Sequence, residues 1–380
     1  MLGAATAAPL LVDLLPLPTI PPIVSEIVAG IVIGPVVLDL VDTTAPLEVF
    51  ASIGLVFLFF LAGLEIAFDP RDDRHLGLVA VAFAVSLALA LAVALIFDAT
   101  ELVGAPLLVA IILAATSFGI VVAVLKDAGQ TNTPFGQLVI AGASIADFST
   151  VILLSLFFSS SGASFETTLV LLLLFLGVVA VIGLVLAGAR GSAQLKATVA
   201  RLHRTSAQIG VRIAFLLLVL LVYMSEEFGL EVVLGAFLAG AMVSLLDREH
   251  ALRETGLTEK LEGIGFGVFI PIFFVVSGVN LDLDALFSSF DTIVLVPLTV
   301  IALLLVRGVP ALVYRRFLPR RQALSAGLLQ ATSLSFVVAA THIGVQIGEL
   351  DSAVAAGLVT GGVISVLIFP ALALRLLRPA

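Results

Sequence analysis

The sequence predicts an all-α polytopic membrane protein of about 13 transmembrane helices, built from inverted-topology repeats that each contain a broken helix. Three observations predict it. The 380 residues are 61% hydrophobic and only 12% charged, with a mean hydropathy of +1.26, against about 25% charged residues in soluble domains. Apolar runs of about 20 residues, each long enough to cross a bilayer as a helix, recur from end to end. Finally, Ala115-Thr-Ser-Phe-Gly-Ile-Val-Val-Ala-Val124 reappears as Ala331-Thr-Ser-Leu-Ser-Phe-Val-Val-Ala-Ala340, with six identities at an offset of 216.

In order, the apolar runs fall at roughly 4–18, 20–40, 47–68, 75–98, 104–126, 135–159, 167–189, 208–226, 229–246, 262–280, 290–314, 322–347 and 352–376. The first is short and carries Asp13. No basic stretch precedes it and no clear cleavage site follows, so it reads as a helix rather than a removed leader. Seven segments separate equivalent points of the two repeated stretches. An odd number reverses the direction of the second copy, a construction typical of secondary transporters. The expected organisation is a single membrane domain over 1–380, with a first repeat at about 20–159, a linking helix at about 167–189 and a second repeat at about 229–376. No soluble regulatory domain is expected, because the longest polar link, about 190–207, is too short to fold alone.

Charge supplies the topology. Seventeen of the eighteen basic residues lie on alternate loops or helix ends: Arg71 and Arg74, Lys126, the run from Arg190 to Arg212, Arg248 to Lys260, Arg315 to Arg321, and Arg375 with Arg378. The intervening loops, such as Asp98–Glu101 and Glu226–Glu231, are acidic or neutral. By the positive-inside rule the basic face is cytoplasmic. This places the N-terminus outside and the C-terminus inside, in the plasma membrane of a prokaryote. A net charge of −9 argues against nucleic-acid binding. Without cysteine there is neither a disulfide nor a thiolate metal site. No phosphate loop or nucleophile motif appears, so no nucleotide, cofactor or enzymatic activity is expected.

Two charges inside the apolar runs are out of place. Asp147 sits at the middle of its helix, about 18 Å from either end at 1.5 Å per residue, with no route to the headgroups. A carboxylate held there marks an ion or proton path by default, the bland alternative being a structural partner for a buried base. Ser144 shares its helix face at a spacing of three. Arg307 is the eighteenth basic residue, about two turns inside its helix, near the limit of snorkelling and better placed for burial against a partner. The repeat mates of these charges are near Val363 and Leu91, so each repeat contributes one charge of opposite sign. The repeated stretch adds Thr116-Ser117-Phe118-Gly119 and Thr332-Ser333-Leu334-Ser335, polar interruptions midway along two apolar helices. Breaks of this kind free backbone groups, tolerated only within protein or beside water. Half-helix ends then present dipoles to ions.

In this order and spacing, several stretches resemble the monovalent cation–proton antiporter family, in particular its second branch of sodium–proton exchangers and potassium-efflux-type transporters. They are Ser25 through Gly34-Pro35, Phe60-Leu-Ala-Gly63-Leu-Glu65, Gly235 through Gly240, and Pro271 through Gly278. The resemblance covers essentially the whole chain. It implies a core domain and a dimer domain, a homodimer in the lipid bilayer, and two broken helices that cross in the core. It also implies an essential aspartate at Asp147, with the basic residue of many relatives at Arg307. Ala146 departs from the family, which usually has Asp, Asn or Gln there, and leaves the partner of Arg307 open among Asp147, a freed carbonyl and a hydroxyl.

The resulting expectation is a secondary active antiporter that exchanges Na⁺, or alternatively K⁺ or Li⁺, for H⁺ by alternating access. Asp147 is the shared carboxylate, and Ser144, Thr116, Ser117, Thr332 and Ser333 are candidate ligands. Glu26 and Glu65, toward helix ends, are candidates to line an access path or to serve structure. With one carboxylate, one-for-one electroneutral exchange is expected. The competing readings are a non-exchanging sensor or degenerate relative of the same fold, and an organic-anion symporter.

Overall fold

A computed structural model of the chain describes residues 1–14, 21–65, 73–158, 164–189, 208–246 and 256–377, and among these residues it is helix and turn with no strand. The basic loop residues expected to set topology at Arg71, from Arg190 to Arg204, and at Arg248 and Arg253 lie outside the described residues, as does Arg378. The helices are α1 Leu2–Leu14, α2 Pro22–Ile33, α3 Ala45–Glu65, α4 Asp73–Ala99, α5 Pro106–Ala114, α6 Phe118–Asp127, α7 Pro134–Phe157 and α8 Phe165–Ala189. They continue with α9 Ile209–Glu227, α10 Val232–Leu246, α11 Leu257–Val279, α12 Leu283–Phe287, α13 Phe290–Arg316, α14 Arg320–Gln330, α15 Ser335–Gln346 and α16 Ser352–Leu377. Among the described residues, ten helical spans are long and apolar enough to cross a membrane, counting α5–α6 and α14–α15 as one each. Three shorter apolar helices, Leu2–Val12, Pro22–Ile33 and Val232–Leu245, complete the set expected from sequence.

The largest boundary error concerns α2, which stops at Ile33 rather than near 40. Gly34 leaves the helix with an extended backbone, and its N–H closes the last turn on Gly30 O at 2.9 Å. Pro35 follows; it has no N–H to continue the ladder and disfavours helix in the residue before it. Two other helices are continuous but irregular. α11 contains a π-helical turn at Gly265–Phe269. α13 passes from α-helix through a π turn at Leu304–Gly308 into a 3₁₀ stretch at Pro310–Arg316. Such turns reset the face that a helix presents, and they concentrate at functional positions.

The chain forms two compact units: 1–44, 69–150 and 274–380 make the first, and 45–68 with 151–273 the second. In the first unit, α2 meets the end of α11 backbone to backbone. A Cβ on Gly30 would overlap Val275 O, and one on Gly278 would overlap Ile27 O. The same unit has an apolar cluster of Phe118, Leu125, Phe135, Leu138, Ala311, Leu329 and Ala373, drawn from α6, α7, α13, α14 and α16. In the second unit, α3 and α10 are equally close. Gly63 lies against Phe237 O and Gly240 against Phe60 O, with no space for a side chain at either. Phe57 packs there against Phe60, Phe215 and Phe269, at ring separations of 5.9, 5.2 and 5.5 Å. Lipid is as apolar as these side chains, so helix association in a bilayer rests on such close packing rather than on escape from water. The four stretches that carried the family resemblance therefore pair in space: the first with the last, and the two middle ones with each other.

Candidate ion site

Both predicted breaks are present, and they meet. α5 ends at Ala114 and α6 begins at Phe118, so the first gap is Ala115–Ser117 and Gly119 lies inside the second half-helix. The second gap is Ala331–Leu334, between α14 and α15. The strands of backbone cross and bond to each other. Ser117 N–H donates to Thr332 O at 2.9 Å, and the Thr116 hydroxyl donates to Gln330 O at 2.7 Å. Thr116, Ser117, Thr332 and Ser333 are all at most 2% exposed. A freed backbone group would be costly at this depth, and each gap supplies partners to the other.

The crossing is not symmetric. Ser117 Oγ accepts from the N–H groups of Leu334 at 2.7 Å and Ser335 at 3.0 Å, capping α15 from the opposite repeat. Its repeat mate is Ser333, whose Oγ is buried and has no hydrogen-bond partner among the described residues. The start of α6 receives no side-chain cap. Ser333 is instead held through its main chain: its N–H donates to Ser365 Oγ at 3.2 Å, and its carbonyl accepts from Ser365 at 3.1 Å. The expected result for Ser117→Ala is a loss of about 0.5–2 kcal/mol, the usual range for removing a helix cap. Ser333→Ala removes no hydrogen bond of that hydroxyl among the described residues and should leave stability near wild type; on the expectation that Ser333 is a ligand, it should weaken cation affinity. Melting temperatures in detergent, read beside cation-concentration curves, check both.

Arg307 has the partners that the sequence left open. The π turn and the following Pro310 aim its side chain inward, where it is 4% exposed. Nε donates to Thr116 Oγ1 at 2.9 Å, Nη1 to Ser86 Oγ at 3.2 Å, and Nη2 to Gly142 O at 3.4 Å and to Gln330 Oε1. The ring of Phe83 lies 5.5 Å from the guanidinium carbon, within cation–π range. These hydrogen-bond partners are two hydroxyls, a carbonyl and a carboxamide, all neutral. Gln330 extends the network, since its Nε2 donates to Val139 O on α7 at 2.8 Å. Gly142 makes the space: a Cβ there would overlap Gln330 Nε2 and lie 2.8 Å from the Tyr314 hydroxyl. Ser86, Gly142, Tyr314 and Gln330 were not singled out in the sequence. Gln330, a carboxamide midway along an apolar segment and directly before the second copy, was the available signal.

Asp147 lies on α7, five residues beyond Gly142, about 7.5 Å along the helix. Its Oδ1 is shielded from solvent, and its charge acts electrostatically on Arg307. Ser144 is half-buried one turn earlier on the same helix. Thr150 donates to Ala146 O at 2.8 Å, satisfying its hydroxyl within the helix. Thr116, Ser117, Thr332, Ser333 and Arg307 are thus brought together in the first unit, with α7 tied to them at Val139 and Gly142. Glu26 and Glu65 are not members of this network. Glu26 is buried on α2, in the packed helix of the first unit. Glu65 ends α3 in the second unit, within electrostatic reach of Glu262.

Two interrupted helices that meet at mid-span, beside a carboxylate-bearing third helix, define a secondary-transporter fold. Comparison with known proteins makes this specific: residues 2–376 match the sodium/hydrogen exchanger transmembrane family, and the chain belongs to it. YjbQ of Bacillus subtilis, named for Na⁺/H⁺ antiport, is 31% identical over 93% of this chain; the chain spans 58% of YjbQ's length. GerN of Bacillus cereus, a Na⁺/H⁺–K⁺ antiporter, is 28% identical over 75% of this chain and 71% of its own. The solved sodium proton antiporter MjNhaP1 of Methanocaldococcus jannaschii shares the fold, with a TM-score of 0.70 at 19% identity over 100% of this chain and 97% of its own.

Proposed function

We propose that this multi-pass membrane protein exchanges Na⁺ for H⁺ by alternating access, with Asp147 as the carboxylate for which the two ions compete. The observation that carries this reading is Asp147 midway along α7, a helix bonded to the crossing of two broken helices and within electrostatic reach of Arg307. The protonated carboxyl is neutral and crosses with its proton. The ionised carboxylate holds a dehydrated cation, which needs several further oxygens. Ser333 Oγ, buried with no hydrogen-bond partner among the described residues, fits that need, and Ser144 and the carbonyls of the gaps are the other candidates. Because both ions use one carboxylate, either displaces the other and neither crosses for free.

The same geometry supports one-for-one exchange. The hydrogen-bond partners of Arg307 are neutral, so the described network contains no second acid for it to release. The names of the relatives support Na⁺ before K⁺, and GerN keeps K⁺ in view. The basic ends of α6, α13, α14 and α16, at Lys126, Arg315 to Arg321 and Arg375, support a cytoplasmic C-terminus. The proposal also includes the two inverted repeats as units of the alternation, and a homodimer as the resemblance implies.

The test is cation-driven proton movement in proteoliposomes, with Na⁺ and K⁺ added separately. Na⁺ should elicit it, at a rate unchanged by an imposed membrane potential. A potential-dependent rate would overturn the stoichiometry. Silence toward both ions across several pH values would move the assignment to a non-exchanging sensor.

A further inference from the structure

Ser333 stands in the second gap with a buried hydroxyl that has no hydrogen-bond partner among the described residues. A serine just ahead of a helix ordinarily turns its hydroxyl onto a nearby backbone N–H. Here the nearest of those groups are taken: the N–H groups of Leu334 and Ser335 both donate to Ser117 Oγ, from the first repeat.

The main chain of Ser333 is engaged as well. Its N–H donates to Ser365 Oγ at 3.2 Å, and its carbonyl accepts from the same hydroxyl at 3.1 Å. Ser365 lies on α16 and is 0% exposed. It shares its proton with Gly362 O, one turn earlier on that helix, at 2.7 Å. One hydroxyl thus grips one residue at both its donor and its acceptor. Gly362 shapes the seat from the side: a Cβ there would lie 3.0 Å from Ser333 O and 3.4 Å from Leu334 Cδ1. The first repeat is built otherwise. At the offset of 216, Ser365 corresponds to Ser149 on α7, whereas the N–H of Ser117 goes to Thr332 O and its carbonyl to the N–H of Val121.

With N–H and carbonyl both held, the Cα–Cβ bond of Ser333 points one way. The hydroxyl oxygen is then confined to the staggered positions about that bond. A dehydrated cation binds better to an oxygen already in place, because no further freedom is lost in ordering it.

We infer that Ser365 is a positioning residue for the ion site. It holds the Ser333 peptide so that the hydroxyl stays available to the cation, and Gly362 leaves the space for that peptide. The inference rests on the antiport reading above and on Ser333 as a ligand, and it adds α16 to the elements that build the site.

The test is the KM for Na⁺, from cation-driven proton movement in proteoliposomes, for Ser365→Ala, Ser333→Ala and the double variant, beside their melting temperatures. Ser365→Ala should raise KM about tenfold, the low end of the range for removing a group that orients a metal ligand, with little change in kcat. In the Ser333→Ala background the same substitution should add nothing to KM, since effects exerted through one shared group are not additive. Its cost in melting temperature should be equal in both backgrounds, because the main-chain groups it frees are the same. A residue that only held the gap together would move KM equally in both. Gly362→Ala reaches the same peptide by crowding its carbonyl, and should raise KM only where Ser333 is present. It keeps the test decisive if Ser365→Ala fails to fold. Wild-type KM in Ser365→Ala or in Ser333→Ala, or an equal rise in both backgrounds, overturns the inference while the antiport reading stands. A wild-type protein silent to Na⁺ and K⁺ removes the antiport reading and the inference with it.

Discussion

Asp147→Asn should reduce Na⁺-driven proton movement to the level of empty liposomes, while the purified protein should melt at or above the wild-type temperature. The expectation follows from what the substitution removes. Asparagine has nearly the same shape and can still accept and donate hydrogen bonds, so the packing of α7 is preserved. It carries no charge for a dehydrated cation and takes up no proton at working pH. The described network around Arg307 offers no second carboxylate to take over, since its hydrogen-bond partners are Thr116, Ser86, Gly142 and Gln330. The folded yield should if anything improve, because an ionisable group at this depth is expensive to keep. Proton movement persisting in Asp147→Asn would place the exchange on another residue.

The second large effect is structural. Gly240→Leu should abolish recovery of monodisperse protein in detergent. A Cβ at this position overlaps Phe60 O and comes within 2.7 Å of Leu64 N, both main-chain atoms of α3. Backbone cannot rotate away as a side chain can, so the two helices must separate. Overpacking costs about 1–3 kcal/mol even where neighbours give by small shifts. Here the reciprocal contact at Gly63, against Phe237 O, is lost along with it. Gly177 on α8 is the control, since a Cβ there meets nothing within 4 Å. Gly177→Leu should therefore elute as wild type. Size-exclusion profiles of the two variants decide the matter: equal profiles would mean that the α3–α10 contact does not hold the unit together.

What was legible in the sequence followed from the bilayer. An apolar run of membrane length folds as a helix, and so the thirteen apolar segments could be placed to within several residues, whereas the short α12 lies in a stretch that reads as a loop. Asp147 and Arg307 stood out because charge is rare at such depth. The repeated Thr-Ser pair located both gaps. Less visible were the neutral members of the site. A serine such as Ser86 in an apolar helix most often bonds its own backbone, and Ser86 does donate to Ala82 O at 3.1 Å; nothing in its sequence context reveals the guanidinium on its other side. The π turn that aims Arg307 has no periodic signature, because one added residue in the turn shifts the face without interrupting the apolar run. The early end of α2 was readable from Gly34-Pro35 and was overridden by the hydrophobic residues that follow. The division into two units has boundaries inside α7 and α11, among other points, so no loop or linker in the sequence marks those two.

The unequal serines at the crossing carry a consequence for how such a site comes about. A duplicated segment supplies every part twice, and a part needed once for support leaves its twin at liberty to acquire another task. Ser117 anchors the opposite half-helix and is committed to that duty. Ser333 caps no half-helix, is held through its main chain by Ser365, and retains a hydroxyl with no hydrogen-bond partner among the described residues. Redundancy thus became specialisation. On the proposed reading, residues that an aligned pair of repeats would score as equivalent should differ sharply in what they tolerate: position 117 only what can cap a helix, position 333 only what can offer an oxygen to a passing ion.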